Sequence, residues 1–159
     1  SLLGNETVKK KDGSKDDGIG VAEALLPGEE RIFFNIFTGV SLDDIEAFEI
    51  SEGSDALFNE YPYEDGKSMT QDLDLHYDVQ GQDVTYTVIN NSQYDGYITV
   101  DILFMKDGKL VKFVTSSAVD IDNSEGGYSV APGKTSTEGS ETCPSEFDDV
   151  LVYCYGVGK

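Results

Sequence analysis

From Asp72 onward, short apolar runs alternate with turn residues every eight to twelve positions, and that rhythm restricts the chain to stacked antiparallel strands. Leu73, Leu75, Tyr77 and Val79 alternate with Asp72, Asp74, His76 and Asp78, the two-residue period of a strand with one buried face. Gly81 turns the chain, and Val84, Tyr86 and Val88, with Asn90 closing the row, alternate with Thr85, Thr87 and Ile89. A third strand follows over 97–105. Asp107-Gly108 then readily takes the positive φ angles of a type I′ hairpin turn, and 110–114 leads back along the strand before it. Residues 120–127 read as loop, 128–130 as a short strand, 135–142 as a polar or edge strand and 150–157 as the strand that closes the sheet. No stretch supports a long helix. The expected fold is all-β: a complete antiparallel β-sandwich over 69–159.

Part of this segment has an echo upstream. Leu26-Pro27-Gly28-Glu29 precedes Leu42-Asp43-Asp44-Ile45, and Ala131-Pro132-Gly133-Lys134 precedes Phe147-Asp148-Asp149-Val150. From the Pro to the first Asp is 16 residues in both, so the copies stand 105 positions apart without a gap. One structural unit used twice would give that pattern. It implies a related, shorter β unit over 1–55, joined to the sandwich through a loop-rich connector at 56–68. Matching the copies places Ile45–Ile50 on a strand, turns Tyr153 and Tyr155 inward like Phe48 and Ile50, and puts Cys154 on the outer face. Residues 31–37 form another strand, rich in aromatics, and the polar run 4–20 reads as a mobile loop or a charged hairpin tip. With so few strands before Val21, the first unit is expected to be a truncated module.

The chain has 159 residues and a net charge of −20, from 31 acidic and 11 basic side chains. Such a surface repels phosphate backbones, which excludes nucleic acid as a partner and argues against adhesion to anionic membranes. Only 38% of residues are hydrophobic, but they cluster in short runs, the mark of a folding chain rather than a disordered one. No run approaches the ~20 apolar residues of a membrane span, and the first residues lack the form of a signal peptide. A disulfide between Cys143 and Cys154 would close a small loop. If the two flank a tight turn at 144–149 they are out of register, and the expectation is two free thiols.

An ordered series of motifs resembles a known family. Val88-Ile89-Asn90-Asn91-Ser92, then 102–111 with its Asp107-Gly108 turn, then Val130-Ala131-Pro132-Gly133-Lys134 and Phe147-Asp148-Asp149-Val150 are similar to the small immunoglobulin-like or FxLYD-type domains of bacterial envelope (lipo)proteins. The resemblance covers about 72–159, with a partial copy at 21–50. Met105 stands where an aromatic residue is common in that family. The resemblance implies an immunoglobulin-like sandwich and an extracytoplasmic accessory role, with no catalytic residues to carry over.

Candidate chemistry is sparse. His76 with Asp74 and Asp78 shares one strand face, but side chains on a straight strand point parallel and a metal would need ligands from elsewhere. The acidic loops 120–127 (Asp120, Asp122, Glu125) and 12–18 (Asp12, Asp16, Asp17) lack the EF-hand spacing and read as turns. With a single His, no Gly-x-Ser-x-Gly elbow and no evident Cys–His pair, nucleophilic catalysis has no equipment. Asp43-Asp44 and Asp148-Asp149 recur at matching places, which favours a structural role in the turn before a strand over a glycosidase pair. No metal and no cofactor are expected.

Tyr61, Tyr63, Tyr94 and Tyr97 sit in or beside loops, where a phenol ring can stack on a sugar or bury in a protein interface. The expected function is therefore non-enzymatic: an extracytoplasmic accessory or protein-binding module, anchored at a bacterial cell surface or secreted. Carbohydrate recognition through those Tyr residues is the alternative, ahead of a small envelope enzyme or inhibitor.

Overall fold

The structure is a computed structural model that describes residues 3–17, 19–20, 35–37, 39–52, 67–120 and 129–158. It is all-β, with several antiparallel sheets and no α-helix among the described residues. The chain divides into two compact units, Ser1–Glu64 and Asp65–Lys159.

In the first unit, β1 (Leu3–Lys10) lies between β2 (Lys15–Asp17) and β5 (Ile45–Glu52), and β3 (Ile19–Gly20) pairs with β4 (Asn35–Ile36). The polar run near the N-terminus is thus largely strand, with a turn at 11–14 whose Gly13 has φ 86°. Charge pairing across the sheet organises it. Lys9 meets Glu46 at 2.9 Å, Lys15 meets Glu49 at 2.5 Å, and Lys10 pairs with Asp16. Those carboxylates hold Lys9 and Lys10 above the usual lysine range, and Lys15 holds Glu49 below the carboxylate range. Val8 is fully buried. The step before β5 is a 3-10 turn at Leu42–Asp44, in which the Asp44 carbonyl accepts from Lys11 N–H at 2.8 Å. Most of the aromatic run 31–37 lies outside the described residues.

The second unit stacks two sheets. One has the order β12 (Gly139–Thr142), β8 (Asp83–Asn90), β7 (Leu73–Gln80). The other runs β10 (Lys109–Ala118), β9 (Gly96–Lys106), β13 (Asp149–Gly158), β6 (Lys67–Ser68), with β11 (Ser129–Val130) pairing to β9. This is the expected β-sandwich. Gly81 at φ 66° opens a two-residue turn between β7 and β8, with Gln80 opposite Asp83. Asp107 and Gly108 take φ 50° and 71°, as a type I′ turn requires.

Between the sheets, Val84, Tyr86 and Val88 from β8 meet Ile98, Val100, Ile102 and Phe104 from β9, with Met69, Ala118, Val130, Cys143 and Val150 around them. Tyr86 Oη donates to Ser116 Oγ at 2.7 Å and Ser136 Oγ accepts from Val88 N–H at 3.0 Å, so both of these buried hydroxyls are paired. The alternation along β7 holds only in part: Leu73 and Leu75 pack on the core, while Tyr77 and Val79 are exposed because β7 is an edge strand that runs on past it.

Cys154 lies opposite buried Val100 and packs against the core, whereas Tyr153 and Tyr155 lie opposite Asp101 and Thr99 on the other face. The outward placement of Cys154 drawn from the echo is therefore reversed, since β5 and β13 have different neighbours. Both cysteines are free. Burial, with a smaller contribution from Asp74, pushes the Cys154 thiol up to about 11.

One polar cluster ties the loops at one end of the sandwich together. Asn90, fully buried, donates through Nδ2 to the carbonyls of Tyr94 (2.8 Å) and Val130 (2.7 Å). Its Oδ1 accepts from Ser92 N–H (2.9 Å) and Oγ (2.7 Å). Its backbone holds the Pro132-Gly133 turn, accepting from Gly133 N–H and donating to the Lys134 carbonyl.

Asn90→Ala leaves the buried Val130 carbonyl without its donor and the Tyr94 carbonyl with Ser92 Oγ alone, and should cost about 3 kcal/mol in urea unfolding, with Asn90→Asp giving no rescue. Two thiols per chain should titrate in denaturant and react slowly in the native protein. Folded Cys154 keeps its proton to about 11, while the unfolded thiol loses it near 9.0, so the native state binds more protons in that window. Its contribution, complete below pH 9.0, is lost as pH rises towards 11, and Cys154→Ala should flatten that part of the stability curve.

Candidate interaction surface

Ten residue pairs join β9 to β13, and side chains directly opposite one another share a face. With Ile98, Val100, Ile102 and Phe104 turned to the core, the opposite face presents Tyr97, Thr99, Asp101, Leu103 and Met105. β13 sets Val157, Tyr155, Tyr153, Leu151 and Asp149 beside them, and β10 adds Thr115 opposite Asp101, Phe113 opposite Leu103 and Leu110 opposite Met105. Large apolar side chains are well exposed here: Tyr97 49%, Leu110 43%, Tyr153 39% and Leu151 38%. Scattered single residues of this kind are ordinary on a protein surface; several on one flat sheet face form a candidate binding surface.

A buried carboxylate sits in the middle of that face. Asp101 is 4% exposed, its Oδ2 accepting from Tyr155 Oη at 2.5 Å and its Oδ1 from Thr115 Oγ1 at 2.9 Å. Hydroxyl donors offset part of the cost of desolvating the carboxyl, and they link β9, β10 and β13 through side chains. Asp101 was not singled out by its sequence position, although a carboxylate between Val100 and Ile102 in an otherwise apolar strand is the signal that would have found it.

The four Tyr residues expected at a site have separate fates. Tyr61 and Tyr63 lie outside the described residues. Tyr94 is half-buried against the core, with its hydroxyl accepting from Gln93 Nε2 at 2.9 Å and its carbonyl held by Asn90 and Ser92. Tyr97 stands exposed on the outer sheet face.

The acidic candidates resolve into local contacts. His76 Nε2 lies 3.3 Å from Asp74 Oδ2, while Asp78 Oδ2 accepts from Gln80 Nε2 at 2.7 Å, so the two carboxylates face different partners. Asp12 Oδ1 accepts from Ser14 N–H (2.9 Å) and Oγ (2.6 Å), which holds its carboxyl below the usual range and pins the hairpin turn. Asp122 and Glu125 fall outside the described residues. No group of three or more metal-ligating side chains is found among the described residues. Asp148 Oδ2 accepts from Asp107 N–H at 3.0 Å and Asp149 Oδ1 from Val150 N–H at 2.9 Å. Both carboxylates of that pair are thus spent on backbone donors at strand ends.

No helix among the described residues is long and apolar enough to cross a membrane. Searches for similarity find no family model, no curated protein and no solved structure that matches this chain.

Proposed function

We propose that this chain is a non-enzymatic accessory or protein-binding module of a bacterial cell envelope, working outside the cytoplasm. The observation that carries the reading is the outer face of β9, β10 and β13, where Tyr97, Leu110, Leu151 and Tyr153 are exposed on one hydrogen-bonded sheet. Aromatic and aliphatic side chains fixed on a sheet lose little entropy on binding, which suits a protein partner. The compartment rests on the resemblance carried by Val88–Ser92, the Asp107-Gly108 turn and the Pro132-Gly133 turn. Thiols that are buried or pushed up in pKa fit a role without nucleophilic chemistry. A second reading, glycan recognition, draws on the exposed rings of Tyr97 and Tyr153 on that same face.

A photo-reactive residue placed at Leu110 or Leu151 of the full chain, irradiated in the native host, should give discrete protein adducts in the envelope fraction. The same residue at Thr85, on the far sheet, should not. Adducts with polysaccharide would favour the second reading, and equal labelling from all three positions would refute a site on this face. Leu151→Asp should weaken the specific adduct about tenfold or more, since it sets a charge in the apolar patch, while leaving the melting temperature nearly unchanged.

A further inference from the structure

β7 is the exposed edge of its sheet: it pairs with β8 on one side, and among the described residues no strand pairs with the other. Its distal half is open on both faces, with Tyr77 48% and Val79 40% exposed on one and His76 and Asp78 exposed on the other. A long edge of this kind is a template for another strand.

The phase of the ladder decides which backbone groups are on offer. A two-residue turn makes Gln80 and Asp83 exchange hydrogen bonds, and at the far end Asn91 N–H still donates to the Asp72 carbonyl at 2.9 Å. Asp74, His76 and Asp78 therefore direct their N–H and C=O groups to β8. Leu75, Tyr77 and Val79 direct theirs off the edge.

We infer that β7 is a self-association edge, pairing antiparallel with β7 of a second copy of this chain about a two-fold axis at Tyr77. Charge favours that register over its two neighbours on the same face. With the axis at Tyr77, His76 lies opposite the second copy's Asp78 and Asp74 opposite its Gln80, while Leu75 meets Val79 and Tyr77 meets Tyr77 on the other face. Moving the axis to His76 sets Asp74 against Asp78, and moving it to Asp78 sets that residue against itself. Facing carboxylates disfavour both. In the single chain His76 is beside Asp74 and Gln80 beside Asp78, so the dimer gives each carboxylate a second donor from across the axis.

Two chains of net charge −20 repel at long range, and salt screens that repulsion within a Debye length. Association through β7 must then strengthen with ionic strength, the opposite of a contact held by ion pairs alone. It goes beyond the proposed partner surface, from which it is independent, because β7 belongs to the other sheet.

Sedimentation of the full chain, at up to about 1 mM protein in about 0.05 and about 0.5 M NaCl, tests this. The expected result is a monomer–dimer equilibrium at high salt, with Kd on the order of 100 µM for so small an interface, weakening at least threefold at low salt. His76→Asp sets carboxylates opposite one another across the axis and should raise Kd tenfold or more; it also places a carboxylate beside Asp74 within each chain, so melting in dilute solution is measured alongside to separate the two effects. The double variant His76→Asp/Asp78→His again sets imidazole opposite carboxylate and should restore association. A wild-type chain that stays monomeric at both salts would overturn the proposal and leave this edge to an extended segment of a different protein. Dimerisation that ignores His76→Asp, or that the double variant fails to restore, would overturn it equally.

Discussion

The second unit depends on one buried amide. Asn90 sits where β8 ends, and its side chain reaches the loop at Ser92–Tyr94 and the short strand at Val130 while its backbone holds the Pro132-Gly133 turn. Two chain segments, 90–94 and 130–134, thereby meet at one residue with no polar group of its side chain left over. A Gln would be a carbon too long for the pocket, and an Asp would present two acceptors where two carbonyls need donors. Burial of one row fixes which face of β8 points inward; the Asn90 clasp adds a directional constraint at its end and sets how β8 crosses over to β9 and β11.

This arrangement explains what the sequence motifs were for. The Val88–Ser92 segment and the Pro-Gly turn, 40 and more positions apart, are two sides of the same hydrogen-bonded cluster. Asp148, one of the echoed residues, caps Asp107 N–H at the Asp-Gly hairpin, so the conspicuous acidic step serves a turn on a neighbouring strand. The matching step in the first unit, Leu42–Asp44, is a 3-10 turn whose last carbonyl receives Lys11 N–H. Each copy uses its acidic step to begin a strand, β5 in one and β13 in the other, but the strands then enter different sheets.

Legibility followed the physical source of each element. β8 is covered on one face only, and its alternation of Val84, Tyr86, Val88 and Asn90 with Thr85, Thr87 and Ile89 was readable residue by residue. β13 was readable as a strand but not in its facing, because both rows are apolar: Val150, Val152 and Cys154 on one, Leu151, Tyr153 and Tyr155 on the other. Borrowing the facing from β5 misled, since Phe48 is itself 64% exposed. The N-terminal hairpin was legible only as one of two readings, a charged hairpin tip or a mobile loop, because ion pairs such as Lys9–Glu46 and Lys15–Glu49 stand where apolar periodicity would have marked strands. On the candidate surface, Tyr97 was visible beforehand as an aromatic beside a loop. Leu110, Leu151 and Tyr153 belonged to it only once the register of three strands was known.

The pairing of β6 with the end of β13 has a mechanical consequence. Lys67 lies opposite Gly158 and Ser68 opposite Val157, so the chain comes into the sandwich and leaves it on neighbouring antiparallel strands at one pole. Tension applied through those two ends would peel β6 from β13 one rung at a time instead of shearing the long β9–β13 ladder, which makes this corner the first to yield. The same side-by-side ends would let the unit sit within a loop of a larger protein without separating the two sides of that loop.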